Sequence, residues 1–245
     1  MQKTILFRLS YLCIFLILTS FNNATSGISS TITVSKTTSN DESVNTSSSM
    51  SAVLYQELNL NNKGLSKEAF STAVKGYEKL KEEGVLQNTQ YLTIVDLSQS
   101  SRKKRFYLID IVNHALTMNT YVAHGKNSGV DEAENFSNMP ESEKSSLGFY
   151  ITKNTYNGKH GLSLKLAGLE NGFNDKAEAR GIVVHAANYV NEARANSAYM
   201  GRSQGCPALP NAIAPKVIKM IKGGSALFVY NPNENYLSNS PVLNS

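Results

Sequence analysis

The feature that most limits what this chain can become is a series of short strand-forming runs between residues 91 and 230, rich in β-branched and aromatic residues. YLTIVDLS (91–98), RFYLIDIV (105–112) and ALTMNTYVAHG (115–125) follow one another closely, with the polar SQSSRKK as a turn between the first two, and predict a meander. GFYIT (148–152), LSLKLAG (162–168), GIVVHAA (181–187) and SALFVY (225–230) add further short strands, while NAIAPKVIKMIKGG (211–224) reads as a helix with a glycine stop. No repeat of fixed period appears. Residues 88–232 therefore suit one compact domain, mostly β with few helices.

Upstream, the period changes. Leu65, Ala69, Phe70, Ala73, Val74, Tyr77 and Leu80 recur at helical spacing, Ser66 is placed to cap and Gly84 follows the end, so a short amphipathic helix is expected within a segment at 52–87. One helix can bury its face only against another element, so it is expected to pack on the domain that follows. Residues 27–51 are dominated by Ser, Thr and Asn, which cannot bury enough surface to offset ordering entropy, and read as a tether. Residues 233–245 read as a polar tail.

The first 26 residues place Lys3 and Arg8 ahead of an apolar run from Leu9 to Leu18, followed by small or polar residues. That is the pattern of a secretory leader, and the run is shorter than the roughly 20 apolar residues a membrane span needs. Cleavage is expected between Ser20 and Gly27, leaving no integral membrane segment and a protein exported to the periplasm or cell envelope. It also removes Cys13, so the mature chain has one cysteine, Cys206, with no intramolecular disulfide partner. A leftover thiol in an exported chain pairs between molecules, does chemistry or simply packs in a core. The net charge of +5 falls to +3 without Lys3 and Arg8 and decides little, although export argues against a nucleic-acid partner. The densest basic run, RKKR at 102–105, reads as a solvated turn.

Chemistry concentrates in RGIVVHAANYV (180–190) and MGRSQGCPALP (200–210). His185 ends an apolar strand-like run; seventeen residues separate it from Ser203, and Cys206 follows three later. The thiolate is the nucleophile and an isolated thiol has a pKa of about 8.5, so a catalytic cysteine needs a nearby base or cation, and His185 is the candidate. Gly205 permits a sharp, positive-φ turn that exposes the sulfur and turns the amides of Gly205 and Cys206 toward a developing oxyanion. Pro207 restricts the backbone that follows. A thiol activated in this way should be alkylated faster than a free one.

SQGCPA after VHAANYV, preceded in order by AHGKNSG (123–129), FSN (136–138), SSLGFY (145–150) and YNGKHGLSLKLAGLENGFND (156–175), resembles the L,D-transpeptidase catalytic domain, the YkuD-like family, in its murein L,D-transpeptidase branch. The resemblance covers residues 88 to about 232. It implies a β-rich fold, a Cys nucleophile with its His, peptidoglycan stem peptides as partners, and no metal or cofactor. Cys206 would attack the carbonyl between the meso-diamino acid and the terminal D-Ala of a tetrapeptide, and D-Ala would leave. A side-chain amine of a second stem would take the acyl group. His185 would shuttle the proton, with Ser203 or its carbonyl orienting the ring. The resemblance also implies acylation of Cys206 by carbapenem-type β-lactams.

There are departures. Many family members carry His and Arg around the cysteine, whereas here Gln204 and Pro207-Ala208 stand in those places, so Arg202, or else Arg180, becomes the candidate for a substrate carboxylate. Tyr189, Gln204, His160 and Ser163 are further candidates for lining the groove, each also readable as packing or loop. His114, His124 and His160 form no close metal-binding pattern in the sequence. A thiol hydrolase with water as acceptor and a non-catalytic wall-binding module are the competing readings. The oligomeric state is not legible.

Overall fold

The computed structural model describes residues 51–244. The expected leader and all but the last residue of the expected tether lie outside the described residues. All described residues belong to one compact unit, Ser39–Ser245.

The chain begins with helical residues 51–57 and a 3-10 turn at Asn61–Lys63, then α1 (Lys67–Glu82). Ser66 caps α1 by accepting the Ala69 N–H at 3.1 Å, satisfying one of the donors a helix start leaves free. The α1 face carrying Phe70, Tyr77 and Leu80 is buried in the same core as the sheet. At Gly76 the approach is closest. A Cβ there would stand 2.1 Å from Phe149 Cζ, so only glycine lets the helix seat on the ring.

The strands are β1 (Tyr91–Asp96), β2 (Phe106–Asp110), β3 (Ala115–Thr120), β4 (His124–Gly125), β5 (Gly148–Gly158), β6 (Gly161–Gly168), β7 (Val183–Ala186), β8 (Arg202–Ser203), β9 (Ala208–Leu209) and β10 (Ala226–Tyr230). The helix α2 (Ala214–Ile221) precedes β10, and α3 (Glu234–Asn239) and α4 (Pro241–Asn244) follow it. The main sheet runs β3-β2-β1-β10-β5-β6-β7-β9, and β4 pairs with β8 beside it. The expected meander is β1–β2–β3, antiparallel throughout, whereas β1–β10 and β7–β9 are parallel. Just beyond β3, the Ala123 N–H donates to the Ala208 carbonyl at 2.9 Å, so opposite ends of the sheet meet and it is nearly closed. Phe149 on β5 stacks on Phe228 on β10 at 4.1 Å in the middle of the core. The fold is mostly β with few helices, as expected.

Three local expectations need correction. The strand expected at 115–125 breaks after Thr120 and resumes as β4, because residues from His124 onward pair with β8 instead of β2. The RKKR run is not wholly solvated. Arg105 is fully buried, donating from Nε and Nη2 to the Val122 carbonyl and from Nη1 to the Gln99 carbonyl. Residues 233–244 are not a free tail. Tyr236, Val242 and Leu243 join the core, and the buried Glu170 carboxylate accepts from Phe149 N–H, Tyr236 Oη and Ser240 Oγ.

Candidate active site

The register of two short strands sets the site. β7 and β9 run parallel with His185 opposite Ala208, which brings Cys206, two residues before Ala208, beside Val183, two residues before His185. Cys206 itself lies in the bend just before β9, between Gly205 and Pro207. The Val183 N–H donates to Cys206 Sγ at 3.4 Å, and the thiol points to the Gly181 carbonyl at 3.8 Å. Both side chains line a cleft of 680 Å³.

The turn that presents the sulfur is built by Ser203. Its Oγ accepts the Gly205 N–H at 3.0 Å and donates to the Cys206 carbonyl at 2.6 Å, closing the loop on itself. Gly205 has φ +119°, and a Cβ there would stand 2.8 Å from the Lys144 carbonyl oxygen, so the glycine is required by both conformation and space. Two expected roles change. The Gly205 amide is engaged by Ser203 and is not free for an oxyanion, whereas the Cys206 N–H has no protein acceptor among the described residues. Nor does Ser203 orient the imidazole: its carbonyl accepts from Lys126 N–H, and His185 Nδ1 instead bonds the Ala186 carbonyl at 2.9 Å. That bond puts the ring proton on Nδ1 and leaves Nε2 as the acceptor.

His185 is buried, and burial lowers its pKa from the usual range; the neighbouring His160 and Lys159 charges push the same way against the Ala186 bond. Burial likewise pushes the Cys206 thiol up, with the Val183 N–H and the Arg180 charge pulling it back only in part. The resting pair is therefore a neutral thiol beside a neutral imidazole, not a preformed thiolate and imidazolium. Among the described residues no hydrogen bond joins the two.

The two candidate arginines separate. Arg180 lies behind the turn: Nη1 donates to the Ser137 carbonyl and Ser146 Oγ, and Nη2 to Ser142 Oγ and the Lys144 carbonyl, so it is committed to holding the 137–146 loop. Arg202 lines the cleft. Its Nη1 donates to the carbonyls of Lys126 and Gly129, and its guanidinium sits 4.8 Å from the Tyr199 ring centroid. Tyr189, Gln204, His160 and Ser163 all line the cleft too. Tyr189 is half-buried, with its phenol pushed up to about 12 by burial; Gln204 is exposed and donates to Glu143; Ser163 donates to the Gly161 carbonyl; His160 stacks on His185.

Lys126 and Lys159 also line the cleft and were not singled out from the sequence, although both fall inside quoted motifs, AHGKNSG and YNGKHG. With Arg202 they give the cleft a cationic wall; among the described residues no carboxylate side chain lines it, although Glu143 pairs with Lys126 at 2.6 Å from outside. Such a wall favours an anionic ligand. The other two histidines are elsewhere: His114 pairs with Glu57 at 3.0 Å, and His124 sits between Arg105 and the Gly129 carbonyl.

The family model of the L,D-transpeptidase catalytic domain, YkuD_2, matches residues 61–230, well over half of the chain. Among solved structures, the chain is similar to an L,D-transpeptidase from Mycobacterium smegmatis at 13% identity and a TM-score of 0.38, with 58% of this chain and 59% of that one covered. L,D-transpeptidase 1 of Mycobacterium tuberculosis aligns at 14% identity and a TM-score of 0.32, over 58% of this chain and 62% of that one. The L,D-transpeptidase of Xylanimonas cellulosilytica (residues 123–326) aligns at 14% identity and a TM-score of 0.34, over 73% of this chain and 93% of that one. This chain thus spans about three fifths of the length of the first two. No curated protein matches it.

Proposed function

Because the chain belongs to the L,D-transpeptidase catalytic-domain family, we propose that it is an exported cysteine acyltransferase acting on peptidoglycan stem peptides, with Cys206 as nucleophile and His185 as its base. The observation that carries this reading is that the one cysteine among the described residues and a histidine with an open Nε2, brought near each other by the pairing of β7 with β9, line one cleft. Residues 88–232 supply the catalytic domain, with the 52–87 segment packed on it and the leader at 1–26 directing export.

The reaction starts from the neutral pair. Cys206 Sγ rotates from the Gly181 carbonyl toward His185, whose Nε2 takes the thiol proton as the sulfur attacks the carbonyl between the meso-diamino acid and terminal D-Ala. The Cys206 N–H donates to the oxyanion. As the intermediate collapses, the C–N bond breaks, Nε2 returns the proton to the departing amine, and D-Ala leaves a thioester on Cys206. An amine from a second stem then loses a proton to His185 and attacks the thioester. The sulfur departs, recovers the proton, and a new amide joins the diamino acids of the two stems. Arg202 holds a carboxylate of the donor with the N–H groups that the Lys126 and Gly129 carbonyls leave free, while Tyr189, Gln204 and Ser163 border the chain of the stem.

Muropeptide mass spectrometry after incubation with the mature protein tests the reading. Release of D-Ala with a cross-linked dimer supports it. Release of D-Ala with tripeptide alone assigns water as the acceptor and makes the protein a hydrolase. Unchanged muropeptides, with wall binding retained, would leave the module reading in place.

A further inference from the structure

His160 is exposed at the tip of the β5–β6 hairpin, yet its ring covers one face of His185, with centroids 4.4 Å apart and planes at 28°. Among the described residues its imidazole makes no hydrogen bond. Gly158 pairs with Gly161 across the hairpin, so only Lys159 and His160 stand between them; neither has a positive φ, and the left-handed position falls on Gly161, at φ +72°, directly after them. The geometry that delivers His160 to His185 is thus set by the hairpin and not by a long mobile loop.

We infer that His160 is a positioning residue for His185: it fixes the plane of the imidazole from one face and, by its charge when protonated, holds that ring in its neutral, proton-accepting form. The inference rests on the reading of His185 as the base. His185 is fixed at one ring atom by the Nδ1 bond to the Ala186 carbonyl, a contact that still allows the ring to tip. Stacking removes that freedom, leaving Nε2 to meet the thiol in one orientation, and small misplacements of a proton acceptor slow transfer sharply. The electrostatic part follows from proximity, because two imidazolium ions cannot share so short a separation without one titrating later than it otherwise would.

The charged groups around the base are mostly cationic, with Glu143 the one acidic partner. Lys159 lies on the same turn, Arg202 lies on β8, and Lys126 follows β4 but is balanced by its 2.6 Å ion pair with Glu143, while Tyr156, Tyr189 and the thiol of Cys206 also face the cleft. After burial, His160 and Lys159 are the groups that lower His185.

Two variants separate the ring from the charge. His160→Phe keeps a stacking surface without a proton, and His160→Ala removes both. In an NMR titration of the histidine rings, His185 should titrate at higher pH in both variants than in wild type. At alkaline pH, where imidazoles are neutral, alkylation of Cys206 should fall about fivefold in His160→Ala and stay within about twofold of wild type in His160→Phe. Unmoved titration of His185 in both variants, or a His160→Phe protein no faster than His160→Ala, would overturn the inference. Both readouts need no substrate. A protein showing both effects without joining stem peptides would lose the proposed function and keep this role for His160.

Discussion

His124 and His185 are both buried, and they flank the same segment, 202–209, from two different strands: His124 on β4 beside β8, His185 on β7 beside β9. At His124 both ring nitrogens are taken, Nδ1 by Arg105 Nη2 at 2.6 Å and Nε2 by the Gly129 carbonyl at 3.2 Å. At His185 only Nδ1 is taken, and the ring opens on a cleft that also holds a thiol. The contrast separates a histidine that carries structure from one able to carry a proton. Burial is common to both; what differs is whether a nitrogen is left over. The same distinction divides the arginines, since Arg180 is committed to four acceptors and Arg202 to two.

The largest expected effect breaks the comparison at His185. Removing the base with His185→Ala should slow acyl-enzyme formation by about 10²–10⁴-fold, the usual worth of a positioned general base, while the thermal midpoint stays within about 2 °C of wild type. A loss of stability matching the loss of rate, read by calorimetry beside single-turnover kinetics, would place His185 in the same class as His124.

Acid should act on His124 through stability. Burial and the Arg105 charge hold its pKa at about 4, against 6.5 for the free side chain, so between those values the unfolded chain binds the extra proton. Its contribution is fully present above pH 6.5 and lost as the pH falls toward 4, about 3 kcal/mol in all. Urea denaturation across that window should show wild type losing more stability than His124→Asn. At neutral pH the same variant should be less stable than wild type by about 1–3 kcal/mol, since Arg105 loses an acceptor in the core.

For His185 the acid effect should appear in rate. Its lowered pKa keeps the ring neutral into mildly acidic solution, so the acid limb of kcat/KM should lie below the 6.5 of a free imidazole, with activity rising as pH increases through it. A limb above 6.5 would mean that the ring is easier to protonate than its burial and cationic neighbours permit. The smallest effect is expected at the arginines: Arg202→Met should raise KM about tenfold with little change in stability, and Arg180→Met should lower the thermal midpoint through the 137–146 loop. Denaturation and steady-state kinetics on both variants measure the division.

Much of this was legible in the sequence because it is local. Ser66 and the apolar spacing to Leu80 specify α1 within one stretch of chain, and Gly205-Cys206 announces its turn because a positive φ demands glycine there. The strands of the meander are likewise written in their own β-branched and aromatic runs. What was not legible depends on partners distant in sequence. Arg105 reads as one more charge in RKKR; the carbonyls of Gln99 and Val122 and the ring of His124, gathered around it by the fold, make its burial possible. Tyr236, Val242 and Leu243 sit in polar surroundings in sequence, and the carboxylate of Glu170 that anchors their helices lies more than sixty residues earlier. Arg180 and Arg202 both stand near the motif, and chain proximity alone could not tell which faces the cleft. Ser203 was identified for the wrong part: the turn it closes is local, two and three residues on, and its side chain does not reach the imidazole.

The thiol expected from sequence was an activated one, and burial reverses that expectation: the resting sulfur is held neutral, so its reactivity should depend on the base at the moment of attack. Intact-protein mass spectrometry measures this most directly, following adduct formation over time with a stem tetrapeptide and with a carbapenem on wild type, Cys206→Ala and His185→Ala. The account predicts an adduct on wild type, none on Cys206→Ala, and a strongly slowed one on His185→Ala; a wild-type protein that gains no adduct from either reagent, or a His185→Ala protein acylated as fast as wild type, would contradict it.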